Sequence, residues 1–223
     1  MRVPRHYLCG SDRGFPVLLP FPVMARTKEF DEDTVLDKAR DLFWERGYHA
    51  TSIQDLEAYL GISRSSLYRF FGGKRELYDR TLARYQEENF QLLRRQLGHT
   101  KNLKADLTNL LLATARQYSP DCAALAKGCY LVNATTEMAN ACSRALDFVA
   151  DNRERFVDIV VELLAAAQRR GELDPQADPK PLANYLFLCY NGLQVVVQTR
   201  VDRNDLVATV THIVDALPWT DPA

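Results

Sequence analysis

Residues 62–75 hold Arg64, Arg69, Lys74 and Arg75 and no acid, whereas nine further basic residues in 24–100 face thirteen acids. Positive charge is therefore concentrated in one short stretch of a chain whose net charge is −1. A guanidinium can bond O6 and N7 of guanine with two parallel hydrogen bonds, and an ammonium or guanidinium can neutralise a phosphate. Ser65 and Ser66 are short enough to let a backbone approach closely. Tyr68 offers a hydroxyl to a phosphate, and Arg69, on the same turn, can reach a base or a phosphate. The cluster taken alone equally describes a solvated helix face, and Ser63 has a complete role as a helix cap.

What must position these side chains is a pair of short helices joined by a tight turn. Ile53, Leu56 and Leu60 mark one apolar face, Leu67 and Phe71 the next, and Gly61 stands between them. Thr51 or Ser52 can cap the first helix, and Thr51 with Gln54 fits a capping box. Ser63 can cap the second, over 64–71, before Gly72-Gly73 stops it. This is the helix-turn-helix arrangement, whose second helix can lie in a major groove. In that setting Arg64 occupies the turn nearest the bases, and Lys74 opens the next helix, where the dipole favours an anion.

The same 3.6-residue period runs through nearly the whole chain from Asp31 onward. Val35, Leu36, Ala39, Leu42 and Phe43 form a first stripe, with Asp31 or Asp33 as its cap and Gly47 as its stop. A long helix is predicted over 74–97. Further helices are predicted over 103–118, 121–126, 129–138, 141–170 (capped by Asn140), 181–199 (with Asp178 as the cap of its loop) and 202–217. The reading is all-α, with about nine to ten helices: an N-terminal three-helix helix-turn-helix domain and a C-terminal helical domain. Residues 1–23 carry four of the ten prolines and no helical period. They read as a disordered extension, or as a mis-called start upstream of Met24.

Several classes are excluded or disfavoured. No 18-residue apolar run exists, so no membrane-spanning helix is expected. The five cysteines are scattered and odd in number, which fits a reducing cytoplasm rather than a disulfide framework. No CxxC, zinc-ligand spacing, phosphate loop, nucleophile elbow or dinucleotide fingerprint is present. Neither enzyme, metal nor cofactor is expected.

Residues 26–88 resemble the N-terminal domain of TetR-type transcriptional regulators. The matching stretch is FWERGYHATSIQDLEAYLGISRSSLYRFFGGKRELYDRTL, above all Gly47-Tyr48, Thr51-Ser52-Ile53, Gly61-Ile62-Ser63, Leu67 to Phe71 and Lys74. The resemblance implies that Thr51, Gln54, Arg64, Ser65, Ser66, Tyr68, Arg69, Phe70 and Lys74 face DNA, Tyr68 and Lys74 toward phosphates. Phe70 stands where relatives often carry a polar residue or histidine, which excludes a hydrogen bond and leaves a thymine-methyl contact or packing. Residues 89–219 are then similar to a ligand-binding and dimerisation domain, and Gly128 to Glu137 (GCYLVNATTE) resembles a word of one large TetR-like subgroup.

The resemblance further implies a homodimer on palindromic double-stranded operator DNA, released by a small-molecule effector. The helices at 141–170 and 181–199 would form a four-helix bundle with their mates, with Ala165, Ala166, Ala167, Gly192 and Leu193 as close-packing candidates. An effector pocket is expected between the long fourth helix and the helices up to Glu137, with Tyr85, Asn89, Tyr118, Tyr130, Asn133 and Glu137 as candidate lining. Asn133 and Glu137, four apart, share a helix face. Two other readings compete: a helical small-molecule binder without an operator, and a regulator that senses oxidants through Cys122, Cys129 or Cys142.

Overall fold

Side chains that satisfy otherwise unpaired amides set the helix starts in a computed structural model, which describes residues 30–116, 127–138 and 143–220 (for 143–146, the backbone alone). Asp31 accepts the Thr34 amide at 2.9 Å and opens α1 (Glu32–Arg46). Ser52 opens α2 (Ile53–Leu60), Ser63 opens α3 (Arg64–Phe71), and α4 (Lys74–Leu97) follows Gly73. Asn102 caps α5 (Leu103–Ala115). Next come α6 (Tyr130–Met138) and α7 (Ser143–Arg169). Asp178 caps α8 (Pro179–Val196), and Asp202 caps α9 (Arg203–Asp215). Among the described residues there are nine helices and no strand. The chain is all-α. The helix expected at 121–126, the Asn140 cap, Tyr118, Cys122, Cys142 and the question of Met24 lie outside the described residues.

One expected cap is displaced. The capping box is Ser52 with Asp55, not Thr51 with Gln54: the Ser52 amide donates to Asp55 Oδ2 at 2.8 Å, and the Asp55 amide donates to Ser52 Oγ at 3.1 Å. Thr51 turns inward instead and donates its hydroxyl to the Gly47 carbonyl at 2.7 Å.

The apolar stripes meet in two cores. The first gathers α1, α2 and α3 around Leu77, Tyr78 and Leu82 of α4. The second gathers α5, α7, α8 and α9 around Phe90, Leu93 and Leu97 of the same helix. Helix α4 thus serves both, its N-terminal half in one and its C-terminal half in the other. Helix α6 breaks the sequence order: although it follows α5, its residues Tyr130, Leu131, Ala134 and Met138 bury in the first core. Tyr130 is the pivot. Its ring meets Tyr78 and Tyr85 edge-on, at 5.9 and 5.6 Å between centroids, and its hydroxyl lies 2.9 Å from Thr81 Oγ1. Buried aromatic pairs of this geometry contribute beyond their area alone.

The start of α6 is also tied to the end of α8 and the residues just after it. Asn133 Nδ2 donates to the Lys127 carbonyl at 2.9 Å, and Gln198 Nε2 donates to Asn133 Oδ1 at 3.0 Å. Gly128 makes this approach possible. Its φ is +64°, and a Cβ there would lie 2.3 Å from Gln198 Nε2 and 2.7 Å from the Gln194 carbonyl oxygen. The backbone oxygen cannot move aside as a side chain can. Gly128→Ala therefore combines left-handed strain with overpacking and is expected to cost roughly 2 kcal/mol or more. Urea unfolding monitored by circular dichroism checks this; an unchanged midpoint would mean that α6 and α8 do not meet as closely as described.

Candidate nucleic-acid interface

The turn between α2 and α3 is set by Gly61, which takes a left-handed conformation at φ +70° and donates its amide to the Glu57 carbonyl at 3.0 Å. Leu56, Leu60, Ile62, Leu67 and Phe71 are buried beneath it. Burying that face of α3 leaves the opposite face to solvent, and there Arg64, Ser65, Tyr68 and Arg69 are exposed. Arg64 and Arg69 of the sequence cluster thus share one exposed face, whereas Lys74 and Arg75 are half-buried on α4.

The first turn of α3 is knit together by hydroxyls. Ser63 Oγ accepts the Ser66 amide at 3.2 Å and lies 2.9 Å from Ser65 Oγ and 3.1 Å from Ser66 Oγ. Arg64 keeps its guanidinium outside, 5.8 Å from the Tyr68 ring. The Tyr68 ring rests on Gly73, where a Cβ would come within 3.1 Å of it, and is 49% exposed. Lys74 places its ammonium 4.2 Å from the centre of the Tyr48 ring, a cation–π contact. Partial burial pulls its pKa below the usual lysine value, while the charges of Glu137 and Asp55 push it back up.

Not every expected residue lies on this surface. Thr51 is fully buried with its hydroxyl spent on Gly47, so its side chain does not face DNA. Phe70 is half-buried and packs edge-on to Phe30 at 5.1 Å, with the Arg69 guanidinium over its ring at 4.5 Å. Packing, one of the two alternatives for Phe70, is thus present in the structure. Gln54, freed from the capping box, is exposed on α2. One residue beside the surface went unread: Glu57 Oε1 accepts the Arg64 amide at 2.5 Å, so a carboxylate of α2 occupies the start of α3. Nothing in the spacing of Glu57 distinguishes it from any other exposed helical acid.

The candidates for an effector pocket separate into two places. Asn89 lines a small cavity of about 90 Å³ with Phe90, Cys129, Val132, Phe156 and Tyr190. Tyr130, Asn133 and Glu137 line a cleft of about 430 Å³ between α1 and α6. Tyr85 is half-buried between Trp44 and Tyr130 and donates to Cys129 Sγ at 3.9 Å. Glu137 does not point into open space: its oxygens accept the backbone amides of Tyr48 and His49 at 2.9 and 2.7 Å. A more apolar cavity of about 320 Å³ lies between α4, α6 and α7, lined by Leu82, Leu131, Met138 and Phe148 among others, with the Arg75–Asp79 ion pair also in its wall. The sequence did not single out this lining, because Leu131, Ala134 and Met138 carry no polar or titratable group to mark them. Burial raises the Cys129 thiol pKa, away from reactive thiolate.

Sequence and structure comparisons agree with this arrangement. The profile of bacterial regulatory proteins of the tetR family matches residues 35–81, and that of the tetracyclin repressor-like C-terminal domain matches residues 108–213. The HTH-type transcriptional repressor ComR of Escherichia coli (strain K12) is 30% identical over 76% of this chain and 80% of its own. The uncharacterized HTH-type transcriptional regulator YezE of Bacillus subtilis (strain 168) is 29% identical over 82% of this chain and 94% of its own. Among solved structures, a cysteine mutant of the TetR family regulator CifR, complexed with a 26 bp double-strand operator DNA, superposes with a TM-score of 0.74. It is 28% identical and covers 86% of this chain and 100% of that one. The chain belongs to the tetR family of bacterial regulatory proteins and is a DNA-binding transcriptional regulator.

Proposed function

We propose that the protein is a cytoplasmic transcriptional repressor that binds a palindromic operator as a homodimer and is released from it by a small-molecule effector. The carrying observation is the exposed face of α3: Arg64, Ser65, Tyr68 and Arg69 stand together in solvent beside Lys74, on a helix whose other face is locked in a core. Arg64 and Arg69 are the base-reading candidates, and Ser65, Ser66 and Gln54 are supporting contacts. Tyr68 and Lys74 are phosphate-directed. Its relative ComR is a transcriptional repressor, and its structural neighbour CifR is complexed with operator DNA. No helix among the described residues is long and apolar enough to cross a membrane.

Dimerisation is supported by α8. Leu188, Val195 and Val196 are 69%, 47% and 40% exposed, and exposed Gly192 has open space where a Cβ would stand. Exposed apolar side chains aligned on one helix favour burial against a partner. The close-packing candidates divide: Ala167 and Leu193 are core, whereas Gly192 is exposed and Ala165 and Ala166 are half-buried. A two-fold dimer would set its two α3 helices about 34–36 Å apart, in successive major grooves. An effector releases DNA only if it binds the non-DNA-binding geometry more tightly. The 320 Å³ cavity, which touches both the helix-turn-helix support and α7, is the place for it.

Fluorescence anisotropy on the DNA flanking its own gene, against random DNA and across a salt series, tests this reading. Arg64→Ala is expected to weaken specific binding by about 1–3 kcal/mol while sparing random DNA; equal loss on both would make Arg64 a phosphate contact. Lys74→Ala should weaken both DNAs alike and reduce the salt slope by about 1. Replacing Leu188 and Val195 together with Glu should yield monomers by light scattering, with operator affinity lost; a dimer that persists would place the interface elsewhere.

A further inference from the structure

The carboxylate of Glu137 is attached to a part of the molecule far from it in sequence. Glu137 sits one residue from the end of α6, yet it receives the amides of Tyr48 and His49, 89 and 88 residues away, in the turn that leads from α1 into α2. The turn is shaped to fit it. Gly47 has φ +82°, and a Cβ there would stand 3.0 and 3.1 Å from the two carboxylate oxygens. The same turn carries Thr51 on the Gly47 carbonyl and places the Tyr48 ring under the Lys74 ammonium. Tyr48 in turn packs on Tyr78 at 4.8 Å. A single side chain of α6 thereby holds the entry to α2 and, through Tyr48, the platform for Lys74.

Helix α6 is in turn held by the rest of the molecule. Asn133 accepts from Gln198 just beyond α8, and Gly128 fits against the Gln194 carbonyl. Leu131, Ala134, Thr135 and Met138 line the 320 Å³ cavity from the side of α6. One helix thus faces α8, the cavity and the helix-turn-helix at once.

We infer that Glu137 is a positioning residue for DNA binding: its carboxylate fixes the α1–α2 turn, and with it the helix-turn-helix, relative to α8. Any shift of α6 then changes the placement of the reading helices without altering the residues on them. The inference rests on the operator reading above. It differs from a stability role because it concerns where the reading head sits, not whether it folds.

The test uses the full-length protein, Glu137→Ala and Glu137→Gln, with an operator selected from genomic fragments and a copy with one base pair inserted between half-sites. Wild type should strongly prefer the original spacing. Glu137→Ala should bind the operator about tenfold more weakly, the scale of losing charge-assisted hydrogen bonds, and its preference between the spacings should fall toward unity. Glu137→Gln retains one acceptor oxygen and should lie between. Dimer mass and helical content should be unchanged. Amide exchange, measured without DNA, should show Tyr48 and His49 protected in wild type and released in Glu137→Ala.

Unchanged operator affinity and spacing preference in Glu137→Ala would overturn the inference. So would a Glu137→Ala that loses affinity for both DNAs equally while keeping its spacing preference. If Glu137→Ala does not fold, Glu137→Gln decides by the same two readouts. If wild type selects no DNA, the operator reading fails, and the exchange experiment still decides whether Glu137 holds the turn.

Discussion

The burial of α6 against α1 and α4 is the constraint on which the rest of the molecule depends. A three-helix reading head of some sixty residues offers only a small apolar interior, and small domains bury too little surface to be strongly stabilised alone. Here the interior is completed from outside the head. Tyr130, Leu131, Ala134 and Met138 supply apolar bulk, and the Tyr130 hydroxyl finds Thr81 so that burying it carries no unmet hydrogen bond. Trp44, Tyr78 and Tyr85 surround that ring. The head is therefore packed as part of the larger body rather than strung from it, and its orientation answers to the position of α6.

Charge is arranged to the same end. Three acids of α1, Glu32, Asp33 and Asp37, pair with arginines of α4 rather than opposing the basic face of α3. Arg84 reaches Asp33 at 2.8 Å and Glu88 at 2.9 Å, and Arg80 pairs with Glu32. Exposed pairs of this kind contribute little stability individually. Their consequence is electrostatic geography: negative charge is drawn to the side where α1 meets α4, and the α3 face keeps its excess of arginine. Glu57 is the exception, and its carboxylate is engaged with the Arg64 amide at the start of α3.

The apolar cavity beside α6 was less legible in the sequence than the basic face of α3, for a physical reason. Polar residues on α6 invite interpretation as pocket lining, and Asn133 and Glu137 do share a face. That face borders the 430 Å³ cleft, but its polar groups are engaged with protein: Asn133 bridges Lys127 and Gln198, and Glu137 binds the Tyr48 and His49 amides. The 320 Å³ cavity lies on the other side of α6, among leucine, alanine and methionine. An apolar residue beside a cavity and one in a filled core have the same local pattern, so periodicity alone could not separate them.

Where the physics is local, the chain announced its own structure. The α1 stripe, the Asp31 and Ser63 caps, the stops at Gly47, Gly61 and Gly72, and the exposed basic side of α3 all depend on residues within about four positions of one another, which is the reach of helical hydrogen bonds and of side chains on one face. Even the failure at Thr51 was a matter of one residue, since both Thr51 and Ser52 can cap and only the pull of the Gly47 carbonyl decides between them. Tertiary structure settled the rest: that Phe70 packs on Phe30, that α6 completes a core begun some ninety residues earlier, and that Glu137 grips the α1–α2 turn. Those pairings join segments with no shared period and no fixed spacing. Only the simultaneous burial of several helices selects them.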